Sequence, residues 1–133
     1  WPAATGDIAT LSTRLCYTIH RRDARGKLAK RSPFDPSGRL LREYRSHFLR
    51  YLETRTGLIG LVDGEHELGV VPTPQLTDEE RRHKVWMNGV VELTLRARIG
   101  DGERFGQLAG EAIGNRRSYG FGAVSCDDLE VVA

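Results

Sequence analysis

The stretch 84-KVWMNGVVELTLRARI-99 carries the strongest β signal in the chain. Val91, Leu93, Leu95 and Ala97 alternate with Glu92, Thr94, Arg96 and Arg98, the period of a strand with one buried and one wet face. Just beyond it, Asp101 stands where a helix N-cap is expected, and Phe105, Leu108, Ala112 and Ile113 supply a core stripe behind it. A glycine-rich segment follows, 112-AIGNRRSYGFGAVS-125, which runs into a strand GAVSC and a last apolar piece, LEVVA.

Read in the other direction, LIGLV (58–62) is a short buried strand, and DGEHELGVV reads as a hairpin turn with a returning strand. Prolines and charge in PTPQLTDEERRH then interrupt the pattern. Ser37 can cap a helix over 38–56 whose stripe is Leu40, Leu41, Tyr44, Phe48, Leu49 and Leu52, with Gly57 as its stop. Arg39, Arg42 and Arg45, spaced by three, predict a basic ridge on that helix. Residues 20–31 hold six cations and one Asp and read as a loop or hairpin tip. Before them, Ser12 to His20 alternates as a strand, and residues 1–11 read as a lead-in segment or linker to a domain over 12–133. The order strand, helix, strand, strand, helix, strand predicts an α+β, ferredoxin-like (RRM-like) βαββαβ domain. Its antiparallel sheet carries both helices on one face.

Length and composition narrow the function. A chain of 133 residues with 39% hydrophobic and 29% charged content is one globular domain. Its net charge of +2 hides an asymmetry. Residues 1–60 hold 12 Lys/Arg against 5 Asp/Glu, whereas residues 61–133 hold 8 against 13. Such a division predicts a polyanion on one side. Cys16 and Cys126 lack metal spacing and read as reduced thiols of a cytoplasmic protein. No apolar run is long enough for a membrane span, and no His/Cys/carboxylate cluster has metal spacing, so neither membrane, metal nor small-molecule cofactor is expected. The chain opens on Trp1 rather than Met, which reads as part of something longer.

The glycine segment can be a helix C-cap with a turn, a close-packing site or a phosphate cradle. Dinucleotide fingerprints place their glycines after a strand and before a helix, the reverse of the order here, and a P-loop lacks its Lys-Ser/Thr. The surviving functional reading sets glycine backbone against a nucleic-acid backbone, with Arg116 and Arg117 on phosphates.

NGVVELTLRARIGDGERFGQLAGEAIGNRRSYGFGAVS resembles the C-terminal end of the RAMP-type proteins of CRISPR systems. Gly114, Arg116, Arg117, Gly120 and Gly122 fall on the positions of that superfamily's glycine loop. RLCYTIHRRDARGKLAKRSPFDPSGRLLREYRSHFLRYLETRTGLIGL is similar to the middle of the CasE family, the RNA-processing subunits of type I-E Cascade. There Lys27, Lys30 and Arg31 loosely take a Gly-Lys-Arg role, Phe48 to Leu52 an apolar pair, and Gly57 the glycine. The resemblance implies binding of the CRISPR repeat stem-loop, assembly with other Cascade subunits, and metal-independent cleavage through a 2′-hydroxyl to a cyclic phosphate. His, Tyr and Lys/Arg suffice for that chemistry. It also implies that the catalytic His and Tyr belong to an N-terminal domain, upstream of this chain. Within the chain, Tyr17 and His20 imitate a Tyr-x-x-His-Arg motif, although alternation on one strand would send them to opposite faces.

The RNA footprint expected from these residues is Arg21, Arg22, Arg25, Lys27, Lys30 and Arg31, then Arg39 and Arg42, then the glycine loop with Arg116 and Arg117. Two other readings stay open: a non-catalytic RNA-binding or assembly subunit, and an unrelated ferredoxin-like domain for a ligand or protein. His47, His66 and His83 read as surface residues.

Overall fold

Nine residues of alternating burial make β1 (Ile8–Cys16) the spine of the sheet. The computed structural model describes residues 4–22, 24–35, 39–72, 90–114 and 122–132. After β1 come β2 (Ile19–Arg22), β3 (Leu28–Arg31), α1 (Arg45–Thr56), β4 (Leu58–Ile59), β5 (His66–Pro72), β6 (Val90–Ile99), α2 (Gly102–Gln107) and β7 (Val124–Glu130). The result is an α+β structure with a five-stranded antiparallel sheet and two helices, compatible with a ferredoxin-like fold.

β1 pairs with β6 from Ile8↔Arg98 to Cys16↔Val90, and with β7 from Ile8↔Glu130 to Thr13↔Val124. Along the other edge of β6, β4 takes Ile99 and Arg98, and β5 continues from Ala97 to Val91. Residues 60–65 are therefore looped out between two successive partners on β6, closed by a hydrogen bond from the Glu65 N–H to the Gly60 carbonyl at 2.7 Å. β4 and β5 are thus two pieces of one edge.

One face of the sheet is dry. Ala9, Leu11, Leu15, Val91, Leu93, Leu95 and Ile99 meet Phe48, Leu49 and Leu52 of α1, Phe105 of α2 and Leu108 just after it in one core. Each of the larger side chains contributes about 1.5–3 kcal/mol by leaving water. The opposite face is wet and mixed in charge, with Arg96 paired to Glu130 at 2.7 Å and the Arg98 guanidinium donating to the Gly6 carbonyl.

Several expectations need correction. β1 starts at Ile8, inside the expected lead-in, because Ala9 and Leu11 continue the buried alternation. It ends at Cys16, so Tyr17 and His20 do not share a strand. The first helix starts at Arg45 rather than 38: Leu40 bridges Phe34 in extended backbone, and Arg42–Tyr44 form a 3-10 turn. The Arg39/Arg42/Arg45 ridge is therefore spread over three local structures instead of one helix. Ser37, its expected cap, lies outside the described residues. Asp101 does cap α2, accepting from the Arg104 N–H at 3.0 Å. That helix stops at Gln107, and Ala112 is extended, bridging Ala123. Gly114 is consequently not a helix C-cap.

Candidate nucleic-acid interface

The cationic stretch 20–31 folds as a hairpin separate from the main sheet. Its register pairs Ile19 with Arg31, His20 with Lys30, Arg21 with Ala29 and Arg22 with Leu28. A two-stranded ribbon alone is marginal in water, and this one is held at both legs by aromatic rings. Tyr17, just before β2, lies 5.2 Å from Phe48 and 4.6 Å from Tyr51 between ring centroids. Phe34, just after β3, meets Phe48 edge-on at 5.1 Å. The legs thus rest on α1, and Arg22, Arg25 and Lys27 at the tip are exposed. Arg22 donates to the Gly26 carbonyl at 2.9 Å, which closes the turn. Of Arg21, Lys30, Arg31 and His20 the backbone position is described and the side chain is not.

The glycine segment is anchored on the strand that feeds this hairpin. Gly114 has φ +81°, its N–H donates to the Tyr51 hydroxyl at 2.7 Å, and an added Cβ would sit 2.5 Å from the Cys16 carbonyl oxygen. Gly122 has φ +83°, its N–H donates to the Arg14 carbonyl at 2.8 Å, and an added Cβ would run into the Ile113 carbonyl. Both positions demand glycine twice over, by dihedral and by space. Both amides are also already engaged. The structure therefore assigns these two glycines to close packing on β1 and leaves no N–H of theirs for a phosphate. Gly120, Arg116 and Arg117 lie outside the described residues.

Hairpin legs and glycine loop thus converge on one end of the sheet, at Arg14–Cys16. Arg39 and Arg42, both exposed, adjoin the same hairpin: the Asp35 N–H donates to the Arg39 carbonyl at 2.8 Å, and the Leu41 N–H to the Pro33 carbonyl at 2.7 Å. At the far end Arg104 is engaged by Glu111 through two bonds of 3.1 and 2.8 Å.

Tyr17 is buried in the core, and burial, with Tyr51 beside it, raises its phenol above the ordinary value. That makes it a structural ring rather than a base. His47 is exposed as expected, whereas His66 is half-buried; burial, then the Arg45 charge, lowers its pKa. His83 lies outside the described residues. Among the described residues no group of three or more His, Cys, Asp or Glu is placed to hold a metal, and no helix is long and apolar enough to cross a membrane. The open sheet face presents no aromatic ring among its described residues.

Two structurally central residues escaped the sequence reading. Tyr51 extends the helical stripe of Tyr44 and Phe48, and that spacing could have found it. Phe34 sits between Pro33 and a second proline and had no periodic signal. Comparison of the sequence with protein-family models and with curated proteins gives no match.

Proposed function

We propose that this chain is a ferredoxin-like RNA-binding domain of the CRISPR RAMP type, the C-terminal part of a CasE-like subunit that holds the repeat stem-loop in a Cascade-type complex. The observation that carries the reading is the convergence of a cation-rich hairpin and the glycine-anchored segment on one end of the sheet. The strand order β7-β1-β6, with β4 and β5 completing the far edge, supports βαββαβ connectivity once β4 and β5 count as one interrupted strand. Both helices on one face fit the same topology.

In this reading Arg22, Arg25 and Lys27 at the hairpin tip contact phosphates of the stem, with Arg21, Lys30, Arg31, Arg39, Arg42, Arg116 and Arg117 completing the basic surface. A-form RNA is gripped through phosphates and shape, which suits guanidinium forks on a protruding ribbon. Gly114, Gly120 and Gly122 shape the adjoining loop. Metal-independent cleavage to a 2′,3′-cyclic phosphate is assigned to groups of the complete protein other than Tyr17, whose phenol is buried.

The test is a titration of a repeat stem-loop RNA against an unrelated duplex at several salt concentrations. The reading requires tighter binding of the stem-loop and affinity that falls steeply with salt. Equal affinity for both RNAs overturns the CRISPR assignment, and salt-independent or undetectable binding overturns RNA binding altogether. Incubation of the repeat with EDTA then separates a processing subunit, which yields cyclic-phosphate ends, from a purely binding one.

A further inference from the structure

The excursion 60–65 between β4 and β5 carries the dipeptide Asp63–Gly64 on an exposed turn. Aspartate before glycine is a reactive pair, because no side chain on the glycine shields its amide nitrogen from the neighbouring carboxyl carbon. Three observations leave this pair free to react. Gly64 has φ +83°, and a Cβ built on it would meet nothing within 4 Å. Its N–H donates to the Leu61 carbonyl at 3.3 Å, beyond the usual length of an amide hydrogen bond. Among the described residues no hydrogen bond or ion pair holds the Asp63 carboxylate.

Asp101–Gly102 is the same dipeptide, and there the fold locks it. The Asp101 carboxylate accepts from the Arg104 N–H at 3.0 Å, and the Asp101 N–H donates to the Gly57 carbonyl at 2.9 Å. Gly102 is already the first residue of α2. Reaction at this pair would strip the cap and open the first helical turn.

We propose that Asp63–Gly64 is a site of spontaneous isomerisation to isoaspartate. The Gly64 nitrogen bonds to Asp63 Cγ, and the carboxyl hydroxyl leaves with the amide proton as water, closing a succinimide ring. Water then adds to either ring carbonyl. Opening at Cγ restores aspartate, whereas opening at the main-chain carbonyl reroutes the backbone through Cβ and Cγ. One water leaves and one returns, so no oxidant or reductant is needed. The product bears a free α-carboxylate, the group that a carboxyl methyltransferase of the protein-repair class esterifies. The excursion absorbs the extra backbone methylene, because β4 and β5 pair with β6 separately on either side of it. None of this depends on RNA binding.

The experiment ages the full chain for several weeks at neutral pH, folded and in urea. Tryptic peptides 56–81 and 99–104 keep the two pairs apart. In the folded protein an isobaric form of 56–81 should accumulate about tenfold faster than one of 99–104, as protection by local structure requires. Electron-transfer fragmentation should place isoaspartate at residue 63, and Asp63→Glu should abolish that form. In urea the two pairs should convert at similar rates. Equal conversion of both pairs in the folded protein overturns the proposal, since the fold would then select neither. So does a folded chain in which residue 63 stays aspartate.

Discussion

Where β6 finishes, the chain closes on itself. The Gly6 N–H donates to the Ile99 carbonyl at 2.8 Å and the Ile99 N–H to the Asp7 carbonyl at 2.7 Å. The Gly100 and Asp101 amides share the Gly57 carbonyl, and the buried Asp7 carboxylate accepts from Ala4 and Val132. Where β1 finishes, at the other end, the chain departs from the sheet into a cationic ribbon and a glycine-anchored loop. The first end spends its polar groups on its own backbone. The second satisfies its glycine amides internally and carries the exposed side chains of Arg22, Arg25 and Lys27. A binding surface can thus vary without unpicking the core, provided that the glycine anchors hold.

That proviso is the strongest way to break the comparison. Gly122→Ala places a Cβ against the Ile113 carbonyl in a left-handed residue and should cost about 3 kcal/mol or more. Urea unfolding measures it directly. A loss below about 1 kcal/mol would mean that the anchor yields and that the open end is soft.

Charge reversal at the hairpin tip should act on binding alone. The pair Arg25→Glu and Lys27→Glu is expected to weaken stem-loop binding roughly a hundredfold at low salt and to flatten the salt slope. The thermal midpoint should stay within about 2 °C. Arg104→Ala at the closed end, which removes the Glu111 pair, should leave affinity within about twofold. Equal loss from both variants would show that only net charge matters, and the distinction between the ends would collapse.

Two single-bond variants then compare how each end is fastened. Tyr51→Phe removes the acceptor of the Gly114 amide and should cost about 1–2 kcal/mol. Asp101→Ala removes the α2 cap and should cost about 1 kcal/mol. Only Tyr51→Phe should also disturb RNA affinity, because of the two bonds only that one holds the glycine segment. Chemical denaturation and anisotropy on the same samples read both effects.

How far the sequence foretold this arrangement follows from the range of each signal. Alternation in 91–99 and the Asp101 cap are local, and the strand and the helix start formed where their residues predicted, although the helix ends at Gln107, short of the stripe's Ala112 and Ile113. The hairpin was legible because six cations in twelve residues cannot be buried. The start of β1 was missed because Gly6, Asp7 and Ala9 are weak strand formers, and the burial of Ala9 comes from pairing with residues far along the chain. The helix start was misplaced because Leu40 and Leu41 fit a helical stripe, yet tertiary pairing with 33–35 holds them extended. The glycines were legible as special positions, with close packing one of three open readings, since the choice among them depends on Cys16 and Ile113 lying against them.

His66 offers the smallest effect and the finest probe, because it sits where β5 resumes after the 60–65 excursion and within reach of the Arg45 charge. Burial is the larger reason its pKa lies below the ordinary 6.5, the Arg45 charge the next, and the Gly60 carbonyl and Glu53 pull weakly the other way. The folded protein therefore holds this proton less tightly than the unfolded chain does. Stability from His66 is complete above pH 6.5 and declines as pH falls from there toward the folded pKa, below which no more is lost. Water reaches the half-buried ring, so the fall should be small, and His66→Gln should flatten it. Arg45→Ala should move the imidazole titration, followed by NMR, back toward 6.5 without restoring it fully, since burial remains. A wild-type titration above 6.5 would show instead that Glu53 and the Gly60 carbonyl dominate.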